Sequence, residues 1–107
     1  MFTIHYFSET VRLGVASLPL DMRARYAAYT ERMKQFGANL GMPHTRAMGS
    51  GLFELRLKGA DGIARVFYCV ARERQIVMLH SFTKKTQATP KRELEIARRR
   101  KKEIDHA

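Results

Sequence analysis

Two arginines carry the first chemical signal in this sequence. The stretches "LFELRLK" (52–58) and "IARVFYCVA" (63–71) are both rich in β-formers, and only "GADG" separates them. With that tetrapeptide as a hairpin loop, directly opposed residues sum to 121, which places Arg56 opposite Arg65. Like charges directly opposed across two strands are destabilising, so the pair needs compensation. Glu54, two residues along the same strand, could neutralise part of it. A bound phosphate is the alternative, since planar guanidinium donors match its oxygens.

The third apolar run, "QIVMLHSF" (75–82), extends the pattern. A two- or four-residue connection around Glu73 and Arg74 opposes Phe67 to His80 and Arg65 to Phe82, with Lys84 on the same parity. Val77 and Leu79 are then expected on the apolar face of Phe53, Leu55, Leu57, Ala64, Val66 and Tyr68. The other face collects Glu54, Arg56, Arg65, Phe67, His80, Phe82 and Lys84. Cations around two exposed aromatics are the ingredients of a site that holds a phosphodiester and stacks bases. Singly, each residue has a plainer reading: His80 as a structural histidine, Phe82 as core, Lys84 and Lys85 as a solubilising strand end. A one-residue slip would invert the third strand, so the arginine pair is the firmer part.

The elements that must position these residues are legible in outline. "FTIHYF" (2–7) alternates as a first strand. Ser8 caps a short helix bearing Val11, Val15 and Leu18, and Pro19 restarts the chain into a second helix. Met22, Tyr26, Tyr29, Met33 and Phe36 form that helix's core-facing stripe. Gly37 and Gly41-Met42-Pro43 end the helical region, and consecutive antiparallel hairpins follow. Thr89 caps and Pro90 opens a last helix, whose narrow stripe of Leu94, Ala97 and Ile104 lies loosely on the sheet.

Composition narrows the class. At 107 residues and 45% hydrophobic content, the chain is a single folded domain (1–107). No apolar run approaches the roughly 20 residues that span a bilayer, and "MFTIHYFSET" does not read as a signal peptide. No membrane role and a cytoplasmic location are therefore expected. One cysteine, Cys69, allows no internal disulfide, and nothing suggests a metal or cofactor. The net charge is +10, and residues 84–107 hold nine Lys/Arg against four Asp/Glu. Half of the excess thus lies in the last 24 residues, where Arg98, Arg99, Arg100, Lys101 and Lys102 run unbroken. Such a field favours a polyanion or an acidic protein. The run lies about two turns into the helix, so RNA or ribosome binding suits it better than direct chemistry.

"GLFELRLKGADGIARVFY" followed by "IVMLHSFTKKTQATPKRELEIARRR" resembles the HigB branch of the RelE/ParE toxin superfamily, which includes many phage-derived relatives. The shared order is Gly-hydrophobic-aromatic-Glu-Leu-Arg, Arg-Val-Phe-Tyr, Leu-His-x-Phe-x-Lys-Lys, then Thr-Pro before a helix with a central alanine, Ala97. The resemblance implies an α+β fold, with two N-terminal helices packed on a small antiparallel sheet and a C-terminal helix. It implies the toxin of a type II toxin–antitoxin pair that cuts mRNA in the ribosomal A site, silenced by a helix-turn-helix antitoxin. Carried over, Arg56, Arg65 and Lys84 are the site cations, and the C-terminal tyrosine or histidine of many relatives has only His106 to match it.

A metal-free mechanism follows from that resemblance. The ribose 2′-OH attacks the adjacent phosphate, Arg56 and Arg65 stabilise the growing charge, and Lys84, Glu54 or His80 moves the proton. Phe67, Phe82, Lys85 and the basic run then serve RNA binding. Two alternatives stay open: a ParE-like poison of DNA gyrase, or a non-catalytic basic module that binds nucleic acid or an antitoxin. The three cations together favour the first reading. An acidic or amphipathic antitoxin segment is expected over the sheet face or the nearby helices. Because the arginine opposition is a strain in this reading, Arg56→Ala or Arg65→Ala should leave folding intact, or improve it by a few tenths of a kcal/mol in a denaturation curve, while abolishing toxicity.

Overall fold

The computed structural model describes residues 1–84 and 89–107. Chain order is β1 (Thr3–Tyr6), α1 (Glu9–Ala16), α2 (Leu20–Phe36), β2 (Thr45–Gly49), β3 (Leu52–Gly59), β4 (Gly62–Ala71), a 3-10 turn (Arg72–Arg74), β5 (Gln75–Lys84) and α3 (Lys91–Asp105). The sheet order is β1-β5-β4-β3-β2. Its neighbours are antiparallel except β1, which runs parallel to β5. The expected small antiparallel sheet is thus a five-stranded mixed one. The strand "TRAMG" is not among the expected strands, because Ala47 and Met48 stand side by side and give no alternation.

Each face of the sheet is covered by helix. On one, α1 and α2 contribute Val11, Val15, Met22, Tyr26 and Met33 to a core with Leu55, Leu57, Val66, Tyr68, Ile76 and Met78. On the other, Ala97 of α3 is fully buried among Leu52, Phe67, Cys69, Val77 and Leu79, with Leu94 and Ile104 packed beside it. The thin stripe of α3 therefore closes a real core instead of resting loosely. A small Ala at its centre lets the backbone approach the sheet. Burial also pushes the Cys69 thiol up to about 11.

Local signals account for most helix ends. Ser8 caps α1 by accepting from the Val11 N–H, as expected. Pro19 precedes α2, and Gly37 ends it at a φ of 104°, a conformation that favours glycine. The predicted stripe of α2 holds through Met33 and fails at Phe36, which is 75% exposed in the last turn. At α3 the boundary residue is Pro90, and no side chain caps it. Thr89 is engaged elsewhere.

The β3–β4 hairpin has the expected register, with Phe53 opposite Tyr68, Arg56 opposite Arg65 and Lys58 opposite Ile63. The β4–β5 hairpin departs in two places that cancel. Its loop has an odd length, three residues, with Glu73 and Arg74 both at positive φ, so Ala71 faces Gln75. A bulge then falls between Phe67 and Tyr68, leaving Leu79 over. Beyond it, Phe67 meets His80 and Arg65 meets Phe82, as an even loop without a bulge would give. Between bulge and turn the parity is inverted. Val77 and Leu79 accordingly pack toward α3, whereas Ile76 and Met78 face α1 and α2.

The β3–β4 turn docks against the start of α2. A Cβ added to Gly59 would stand 2.9 Å from Asp21 Oδ2 and from two atoms of the fully buried Met22. The adjacent Ala60 N–H donates to Asp21 Oδ2 at 2.8 Å, and that bond is the main reason the Asp21 carboxyl sits below its usual range. Gly59→Ala should therefore overpack this contact and cost roughly 1–3 kcal/mol, read as a lower urea midpoint with an unchanged slope.

Candidate functional site

Arg65 and Glu54 project from adjacent strands and are both fully buried. Arg65 Nη1 donates to Glu54 Oε2 at 3.2 Å and to Thr89 Oγ1 at 2.8 Å. The Thr89 hydroxyl in turn donates to Glu54 Oε2 at 2.8 Å. Three groups close a triangle that fastens β3 and β4 to the segment entering α3. Thr89 thus spends its hydroxyl on the buried pair, which is why it does not cap the helix. The Arg56 side chain is 18% exposed, with its Nε 3.8 Å from Glu54 Oε1. Glu54 therefore compensates both arginines, and Arg65 belongs to the interior. The expected relief of strain on deleting Arg65 is reversed: a buried carboxylate would lose its main partner.

Arg56 opens instead onto a cleft of about 320 Å³ at the edge of the sheet. β2 begins at Thr45 opposite Leu55, so the stretch of β3 from Arg56 onward has no strand beyond it. The cleft is lined there by Arg25 and Tyr29 of α2, Pro43 and His44 ahead of β2, Arg56 and Lys58 of β3, and Ile63 of β4. Tyr29 and His44 pack ring on ring, 4.5 Å between centroids and tilted by 40°. The His44 carbonyl accepts from the Arg56 N–H at 2.9 Å, which fixes the two residues abreast. Three cations around one concave space give it a positive field of the kind that suits an anion. The sequence reading missed most of it because Arg25 and Tyr29 come from a helix that reads as core, and His44 and Lys58 join only once β2 is in place.

The remaining candidates are dispersed. Lys84 is exposed and lies across Ile63, opposite Lys58, at a separate depression formed with Pro90, Arg92, Glu93 and Ile96. His80 is held by α3: its Nε2 is 3.2 Å from Glu93 Oε2 and its Nδ1 is 3.5 Å from Arg100 Nη1. Phe67 has no exposure, lying beneath α3, so it offers no ring for a base to stack on. Phe82 is half-buried against it, centroids 5.7 Å apart. Lys85 lies outside the described residues.

The basic run of α3 divides by helical phase. Arg98 donates to the Met48 carbonyl at 2.8 Å and reaches that of Gly49 at 3.5 Å. Arg100 donates to the Leu79 carbonyl at 2.7 Å and lies over the Phe7 ring. Lys101 pairs with Asp105 at 2.6 Å and is only 18% exposed. These three fasten the helix to the sheet or to itself, whereas Arg99 and Lys102 face solvent. No cluster of three or more metal-ligating side chains occurs among the described residues.

The buried triangle makes a test of its own. Glu54→Gln should cost roughly 3–5 kcal/mol by leaving Arg65 charged in the interior. The apolar double substitution Glu54→Leu with Arg65→Met should recover most of that loss in urea denaturation. Equal losses for the single and double variants would contradict the pairing.

A family model described as "Phage derived protein Gp49-like" matches residues 15–102. Curated proteins give no match. Among solved structures, a chain of the archaeal RelE–RelB complex from Pyrococcus horikoshii OT3 superposes with a TM-score of 0.52 at 17% identity, over 81% of this chain and 98% of that one. At that identity the likeness establishes the fold, an α+β arrangement of three helices and a mixed sheet. The family match spans α2, the cleft and most of α3, and this chain belongs to the phage-derived Gp49-like family.

Proposed function

We propose that the protein is the toxin of a type II toxin–antitoxin pair and acts as a ribosome-dependent mRNA endoribonuclease of the HigB and RelE kind. The observation that carries this reading is the edge cleft, where Arg25, Arg56 and Lys58 converge beside the Tyr29–His44 pair. Clustered cations next to two aromatic rings suit one phosphodiester and a neighbouring base of a single strand. The RelE-like fold and the family match support the same reading.

In this mechanism no metal or cofactor takes part. Arg56 and Lys58 stabilise charge on the phosphoryl oxygens as the 2′-OH attacks in line. Arg65 supports the site from behind by fixing Glu54, which in turn lies against Arg56. Lys84, Phe82, Arg99 and Lys102 contribute binding to RNA or ribosome from outside the cleft. An antitoxin, expected as a helix-turn-helix protein, has no open sheet face to cover because α3 occupies it. Its acidic or amphipathic segment must reach the cleft or the adjoining helices.

Induced expression should arrest growth with mRNA cut at ribosome-bound codons and DNA intact. Arg56→Ala and Lys58→Ala should each lower single-turnover cleavage about 10²-fold or more while ribosome binding persists. DNA breaks with intact mRNA would point to a gyrase poison instead. Unimpeded growth at verified expression would leave only a binding module.

A further inference from the structure

We infer that His44 is the proton carrier of the cleft, an inference that rests on the ribonuclease reading and names the group that reading leaves open. Three observations converge on it. First, its position is imposed by backbone. Thr45 pairs with Leu55, and one step further the His44 carbonyl holds the Arg56 N–H, so His44 stands directly across from the arginine that faces the phosphate. Both residues line the same cleft.

Second, the ring has one face occupied and its nitrogens open. Tyr29 packs against it at 4.5 Å, and among the described residues neither imidazole nitrogen has a hydrogen-bond partner. The alternatives at the site differ on that point. Both nitrogens of His80 are engaged with α3, and Glu54 is sealed inside with Arg65 and Thr89. Lys84 belongs to a different depression. Third, the charged and titratable groups lining the cleft around the imidazole are Arg25 and Tyr29 from α2 and Arg56 and Lys58 from β3. Three cations beside the imidazole would hold the reacting phosphate next to it.

In the step itself, a His44 nitrogen takes the proton of the ribose 2′-OH. The freed oxygen bonds to phosphorus, the bond from phosphorus to O5′ breaks, and O5′ acquires a proton from water. The products are a 2′,3′-cyclic phosphate and a 5′-hydroxyl, and His44 returns its proton to solvent. No oxidant, metal or further reactant is needed.

The experiment is single-turnover cleavage of ribosome-bound mRNA by the full chain across pH. His44→Ala should cut roughly 10²- to 10⁴-fold more slowly, lose the acid limb of the pH–rate profile, bind ribosomes as wild type does, and regain activity in added imidazole. His44→Phe keeps an aromatic ring against Tyr29 and should be as slow as His44→Ala, without rescue. If His44→Phe cleaves at the wild-type rate while Arg56→Ala does not, His44 is a packing residue and the inference falls with the ribonuclease reading intact. If wild-type protein cleaves no ribosome-bound mRNA, both fall together.

Discussion

A guanidinium with no solvent exposure sits in the middle of this sheet, and the fold is arranged so that it can. Arg65 is tolerable there because Glu54 and Thr89 meet it from two other segments, one across the ladder and one beyond β5. Removing a charged pair from water costs several kcal/mol per ion before attraction offsets it, so the pair acts less as a source of stability than as a demand for geometry. β3 and β4 must hold register, and the approach to α3 must arrive at one place. The buried carboxylate then has Arg56 beside it, and this second arginine, turned outward, is the one that meets the cleft.

The architecture keeps electrostatics apart in a way that net charge alone does not convey. Of the five consecutive cations in α3, two hold backbone carbonyls of the sheet and a third holds an aspartate. Much of what looks like a field for a polyanion is internal fastening. The cations that line the cleft come from distant parts of the chain and gather where β2 stops short of the end of β3.

Strand pairing was readable wherever short polar loops joined β-rich runs, because the period of two leaves few registers that bury one face. The arginine opposition is the clearest case. Reading its meaning was harder: sequence parity put Glu54, Arg56, Arg65, Phe67, His80 and Phe82 on a common face, and so they are, but nothing in it said that a helix with an apolar stripe of three residues would cover most of that face. The sparse stripe of α3 looked too weak for the task, since Leu52, Phe67, Cys69, Val77 and Leu79 supply the apolar partners from the sheet side. The edge cleft was illegible for another reason. It depends on a weak strand, a ring from a core-patterned helix and a lysine near a turn, none of which is adjacent in sequence.

The leftover residue in β5 works as a phase shifter between two neighbours with different requirements. β1 pairs only with Gln75 to Met78, on the turn side of the bulge, where Ile4 and Tyr6 share a face with Ile76 and Met78. Past Leu79 the strand answers to β4 alone and presents His80 and Phe82 toward α3. One strand thereby serves both cores without changing sheets: its first half is timed to the helical face by a parallel edge, its second half to the face that carries the buried arginine. An ideal ladder, in step from end to end, would have to mistime one of them.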